Sequence, residues 1–91
     1  MDRKKRIHGL ISKIADELFQ FIKEEGPSFK DGWVPSIKIK ESLELNFLCV
    51  PKHNKQYGEK GWFLAILARM LEDEERIEHR KFGNRAFFRI I

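Results

Sequence analysis

The sequence predicts a small α+β domain, three helices closed by a C-terminal β-hairpin, and three observations carry that expectation. Ile7, Leu10, Ile11, Ile14, Leu18, Phe21 and Ile22 lay one apolar stripe along a helix over about 4–25. Phe63, Ile66, Leu67, Met70 and Leu71 recur at steps of three and four, which predicts a second such stripe on a helix over about 60–74. Ile77-Glu78-His79-Arg80-Lys81-Phe82 and Arg85-Ala86-Phe87-Phe88-Arg89-Ile90-Ile91 flank Gly83-Asn84. Two runs rich in aromatic and β-branched residues, separated by two turn formers, predict a tight hairpin.

A chain of 91 residues is one domain, 1–91, without room for a catalytic domain and a second module. Its 42% apolar composition suffices for one small core, and 35% charged residues keep the surface solvated. The formal charge of +4 is modest, so its distribution matters more than its sum. A single cysteine rules out an internal disulfide and fits a reducing compartment. No run approaches the ~20 apolar residues of a membrane span. The basic N-terminus leads into an amphipathic helix rather than an apolar signal core. The expectation is a soluble cytoplasmic protein, or a soluble piece of a larger one, with no membrane partner.

Asp2 is placed to cap the first helix, which Gly26-Pro27 stops: glycine suits a left-handed residue past a helix end, and proline cannot continue the helix. Arg3, Lys4, Lys5 and Arg6 crowd its first turn, where cations oppose the helix dipole. They read as a solvated start or as a phosphate-contacting arm. Residues 28–32 form a polar loop. Trp33-Val34-Pro35 is a short extended piece, because proline disfavours helical backbone in its predecessor. Ile37-Lys38-Ile39-Lys40 alternates like a strand, whereas Ile39 and Leu43 are spaced as in a helix; with Ser36 as a cap, the helix is the better reading. The connection 46–59 holds the apolar run Phe47-Leu48-Cys49-Val50, then Pro51 and a polar stretch, and no element is assigned to it.

In order, these elements are helix, short strand, helix, helix, hairpin. That order, with the piece Gly61 to Ile91 and its tail Lys81-Phe82-Gly83-Asn84-Arg85-Ala86-Phe87-Phe88-Arg89, resembles the winged-helix family of DNA-binding domains from about Lys5 to the end. The resemblance rests on element order rather than an invariant motif. It implies a regulatory module that inserts its third helix into the major groove of double-stranded DNA and lays its wing on the backbone or minor groove. Carried over residue by residue, the helix offers Lys60, Trp62, Ala65 and Arg69, with Gln56 just before it. The wing offers Arg80, Lys81, Asn84 and Arg85. Two features depart from the pattern. The connection between the second and third helices is far longer than a plain helix-turn-helix turn. The outer face expected for the third helix, Gly61, Ala65, Ala68 and Glu72, flanked by Trp62 and Arg69, contains Arg69 as its one strong base reader. Such small residues also suit another helix, so the alternative is a protein-interaction module, a homodimer or a subunit of an assembly.

Charge is segregated. Five acids and Arg76 occupy 72–78, whereas 79–91 carries Arg80, Lys81, Arg85 and Arg89 and no acid. A basic hairpin is a phosphate-binding surface or an edge ribbon protected from aggregation by charge. The acidic run must point away from DNA if the wing binds it. Cys49 and His53 are spaced as a metal-ligand pair, but a structural zinc site needs about four ligands and no second pair exists. Cys49 is better read as a small buried residue. The chain has no glycine-rich oxyanion or phosphate loop, and Gly58-Glu59-Lys60-Gly61 is not one. No enzyme activity, metal or cofactor is expected. Trp33 and Trp62 are expected in or at the edge of the core, with Trp62 at a binding surface as the alternative.

Overall fold

The structure is a computed structural model and describes residues 2–45 and 62–91. Within them the chain forms α1 (Arg3–Glu25), two short 3₁₀ turns (Gly26–Ser28 and Lys30–Gly32), β1 (Val34–Pro35), α2 (Ser36–Leu43), α3 (Trp62–Asp73), β2 (Ile77–Phe82) and β3 (Arg85–Ile90). The strands make one antiparallel sheet in the order β1-β3-β2. Val34 pairs with Phe88 on one side of β3, and on the other Ile77 pairs with Ile90 and Phe82 with Arg85. Pro35 has no N–H to give a ladder, so β1 is suited to the sheet edge it occupies.

The cap on α1 is as expected, with the Asp2 carboxylate accepting from the Lys4 N–H at 2.9 Å. Its far end differs. Gly26 keeps right-handed helical angles (φ −48°, ψ −46°) instead of the left-handed turn expected, and the chain tightens into a 3₁₀ turn. Gly26 is buried, with the Gly32 backbone 3.6 Å from where its Cβ would be. That is ordinary van der Waals contact, so neither space nor backbone angle demands glycine here. Ser36 is the first residue of α2 rather than its cap; Pro35 holds the cap position in extended geometry without a side-chain bond.

The core lies between the helices and one face of the sheet. Ala15, Leu18 and Ile22 of α1 meet Val34, Ile39 of α2, Leu64, Leu67, Ala68 and Leu71 of α3, and Ile77 and Phe88 of the sheet. Two expectations are corrected here. On α1, Ile7, Leu10 and Ile14 are 48%, 52% and 42% exposed. A 23-residue helix is ~34 Å long; among the described residues its fully buried positions begin at Ala15, with Ile11 partly buried against the core. On α3 the buried face is rotated from the expected stripe: Ile66 is 48% exposed while Leu64 and Ala68 are buried. Both stripes have three- and four-residue spacing, and a helix apolar on most of its circumference leaves the choice to its neighbours.

The turn from α3 to β2 is a Schellman closure. Arg76 N–H donates to the Leu71 carbonyl and Glu75 N–H to that of Glu72, both at 2.9 Å. Glu75 takes the left-handed position (φ 59°) that glycine usually fills. Arg76 then locks this corner to α1. Its Nη1 donates to Asp16 Oδ1 at 2.6 Å and to Glu74 Oε1 at 3.3 Å, and its guanidinium lies 4.4 Å from the Phe19 ring centroid. The hydrogen bond to the Asp16 carboxylate raises the Arg76 pKa above its ordinary value.

Candidate nucleic-acid interface

The hairpin positions its cations by strand alternation. Side chains two apart on a strand share a face, and the pairings Glu78–Arg89, Arg80–Phe87 and Phe82–Arg85 put these six residues on one side of the sheet. The opposite side carries Ile77 and Phe88 into the core. Gly83 has positive φ (64°) and Asn84 does not, the pattern of a two-residue type II′ loop with glycine first. That loop brings Arg80, Lys81, Asn84 and Arg85, all exposed, to one end of the hairpin. Arg80 and Arg85 lie on the outer face, and Lys81 alternates to the other.

Ion pairing separates the cations into two groups. Lys38 pairs with Glu25, Arg69 with Asp73, Arg76 with Asp16 and Glu74, and Arg89 with Glu78. Arg80, Lys81 and Arg85 have no such partner among the described residues, and neither do the cations of α1, Lys30 or Lys40; the tip brings three of them together. The acidic run 72–75 closes α3 at the start of β2, and six strand residues carry the tip ~17–20 Å from that end. The acids at that end are therefore about one strand length from the basic tip.

The helix residues are less favourably placed. Lys60 and Gln56 lie outside the described residues, as do Gly61 and the Cys49–His53 pair. Trp62 opens α3 half-buried, 5.4 Å from the Phe63 ring, with its indole nitrogen buried and without a hydrogen-bond partner among the described residues. Ala65 and Arg69 are exposed, but Arg69 Nε is held 3.0 Å from Asp73 Oδ1 one turn on. Ala68, expected on the outer strip of small residues, is 2% exposed and part of the core. The strip is therefore broken, and the outer face of α3 presents Ala65, Ile66, Arg69 and Asp73.

Compared with protein-family models, curated proteins and solved structures, the chain has no match.

One part of the surface was not anticipated from sequence. Trp33, expected in or beside the core, reaches the outer face of the sheet, where it meets Phe82 edge-on at 5.9 Å. Phe82 in turn meets Phe87 edge-on at 5.2 Å. The guanidinium groups of Arg89 and Arg80 lie 4.3 and 5.2 Å from the Trp33 ring centroid. The signal was available: Arg80 and Phe82 are two apart, and so are Arg85, Phe87 and Arg89. Parity alone would have put them on one face, but the contribution of Trp33 depends on the pairing of β1 with β3.

Proposed function

We propose that this chain is a winged-helix module that binds duplex DNA, with the β2–β3 hairpin as its wing and principal anchor. The order helix, strand, helix, helix, hairpin supports the family reading, together with a β1-β3-β2 antiparallel sheet. The observation that carries the function is the hairpin tip: Arg80, Lys81 and Arg85 are exposed and lack ion-pair partners among the described residues. Unpaired cations on a projecting ribbon attract phosphates and release counterions without first breaking an internal pair. Asn84 adds a neutral hydrogen-bonding group.

In this reading α3 plays the smaller part. Arg69 must exchange Asp73 for a base or a phosphate, and Ala65 and Ile66 offer only van der Waals contact. Binding is then dominated by backbone contacts and discriminates weakly between sequences. A regulatory role in the cytoplasm, without catalysis or a cofactor, belongs to the same proposal. Anisotropy titrations of random-sequence duplex DNA over a range of salt concentrations test it. Binding that weakens steeply with salt is expected, and no binding at low salt refutes it.

A second reading, a protein-interaction module, has its own support in Ile7, Leu10 and Ile14 along α1 and Ile66 on α3, all at least 42% exposed. Burial of such residues between two copies would make a homodimer, which light scattering detects.

A further inference from the structure

The geometry points to a second ligand surface on the hairpin: the outer face of the sheet is a stacking platform for unpaired bases of single-stranded nucleic acid. This rests on the hairpin reading above and extends it from duplex backbone to duplex ends and junctions. The outer face alternates rings and guanidinium groups, with Arg80 opposite Phe87 and Phe82 opposite Arg85. An open pocket of about 510 Å³, lined in part by Lys30, Trp33, Arg80, Phe82 and Phe87, occupies this face. That volume lies in the range of small-ligand sites.

The rings differ in what they offer. The Trp33 ring already has two guanidinium groups near it, and the Arg89 group is fixed by Glu78 and by the Asp31 carbonyl at 3.1 Å. Phe82 is 47% exposed, in T-shaped contact with Trp33 and Phe87 and with the Arg80 guanidinium 6.0 Å from its ring centroid, so part of its ring is open to solvent. A base stacks there, because every base has a π-face and an aromatic ring accepts any of them. Arg80 sits beside it with no carboxylate partner among the described residues, placed for the phosphate of the stacked nucleotide. Charge leans against the other ligand class that aromatic clusters take: Asp31 also lines the pocket, but a quaternary or methylated ammonium would meet Lys30 and Arg80 against that one acid.

The test compares three fluorescein-labelled probes by anisotropy: an oligothymidylate, a blunt duplex, and that duplex with a short oligothymidylate overhang. Wild type is expected to bind the overhang probe at least about fivefold tighter than the blunt duplex. Phe82→Ala should bring that ratio close to one, a loss of roughly five- to hundredfold, the range for removing one base–aromatic stack. Phe82→Leu, which keeps the apolar bulk and the fold, should give the same loss. In a Trp62→Phe background Trp33 is the sole tryptophan, and its emission should change with oligothymidylate and not with blunt duplex. Equal affinity of wild type for overhang and blunt probes overturns the inference while leaving duplex binding intact. Oligothymidylate binding without duplex binding overturns the duplex reading and leaves this one standing. Failure of all three probes, with Phe82→Ala changing the solution mass, makes the face a protein interface and overturns both.

Discussion

Reversal of the three hairpin cations, Arg80→Glu, Lys81→Glu and Arg85→Glu together, is the sharpest test of the anchor. It moves the formal charge from +4 to −2. If the wild-type protein engages about 4–6 phosphates, log K against log salt has a slope of about −4 to −5. Removing three contacts flattens that slope by about 2.7. At 0.1 M salt the same three contacts correspond to about 500-fold in affinity relative to 1 M, so the variant should lose roughly that factor. The fold should survive, because all three side chains are exposed. The internal contacts removed are those of the Arg80 guanidinium with the Trp33 and Phe82 rings, at 5.2 and 6.0 Å, together an exposed cation–π cluster costing about 1 kcal/mol. For a domain of this size that lowers Tm by about 8 °C at most. Anisotropy measures the binding and circular dichroism the fold. Affinity within twofold of wild type, with the spectrum retained, would show that the hairpin does not hold DNA.

Further expectations concern α3 and the turns. Leu67→Ala removes a 1% exposed side chain and should cost about 2–5 kcal/mol, whereas Ile66→Ala at 48% exposure should cost under ~1 kcal/mol; thermal melts showing comparable losses at both positions would mean that α3 buries the stripe its sequence suggests. Gly83→Ala forces a Cβ into positive φ and should destabilise by about 1 kcal/mol, while Glu75→Gly relieves a left-handed residue and should stabilise by about 0.5 kcal/mol; urea titrations read both. Ala65→Glu should leave the fold and the solution mass unchanged while weakening duplex binding severalfold, and Ala68→Glu, which buries an unpaired charge, should unfold the chain. A wild-type dimer that becomes monomeric in Ala65→Glu, by light scattering, would favour the protein-interaction reading instead.

Local chemistry made much of this chain legible. The Asp2 cap, the helix over Arg3–Glu25, the extended Val34–Pro35 and the turn at Gly83-Asn84 each follow from residues within a few positions of one another. The basic tip was legible for the same reason: a two-residue loop fixes its flanks as neighbours, so Arg80 and Arg85 had to converge. Segregation of the acids from that tip needed only the length of one strand.

The tertiary structure decided which apolar surface is buried and what lies across from it. On α3, Ile66 and Leu67 are equally apolar in sequence, and packing against α1 and the sheet buries one and exposes the other. The first half of α1 is amphipathic like the second, yet among the described residues its fully buried positions lie from Ala15 on, with Ile11 partly buried. Gly26 reads as a left-handed stop in sequence, but the chain continues there with right-handed angles into a 3₁₀ turn. The aromatic face depends on a strand pairing between residues more than fifty positions apart, Val34 with Phe88. Periodicity determines which side chains share a face, but the partner that covers that face is chosen by contacts distant in sequence.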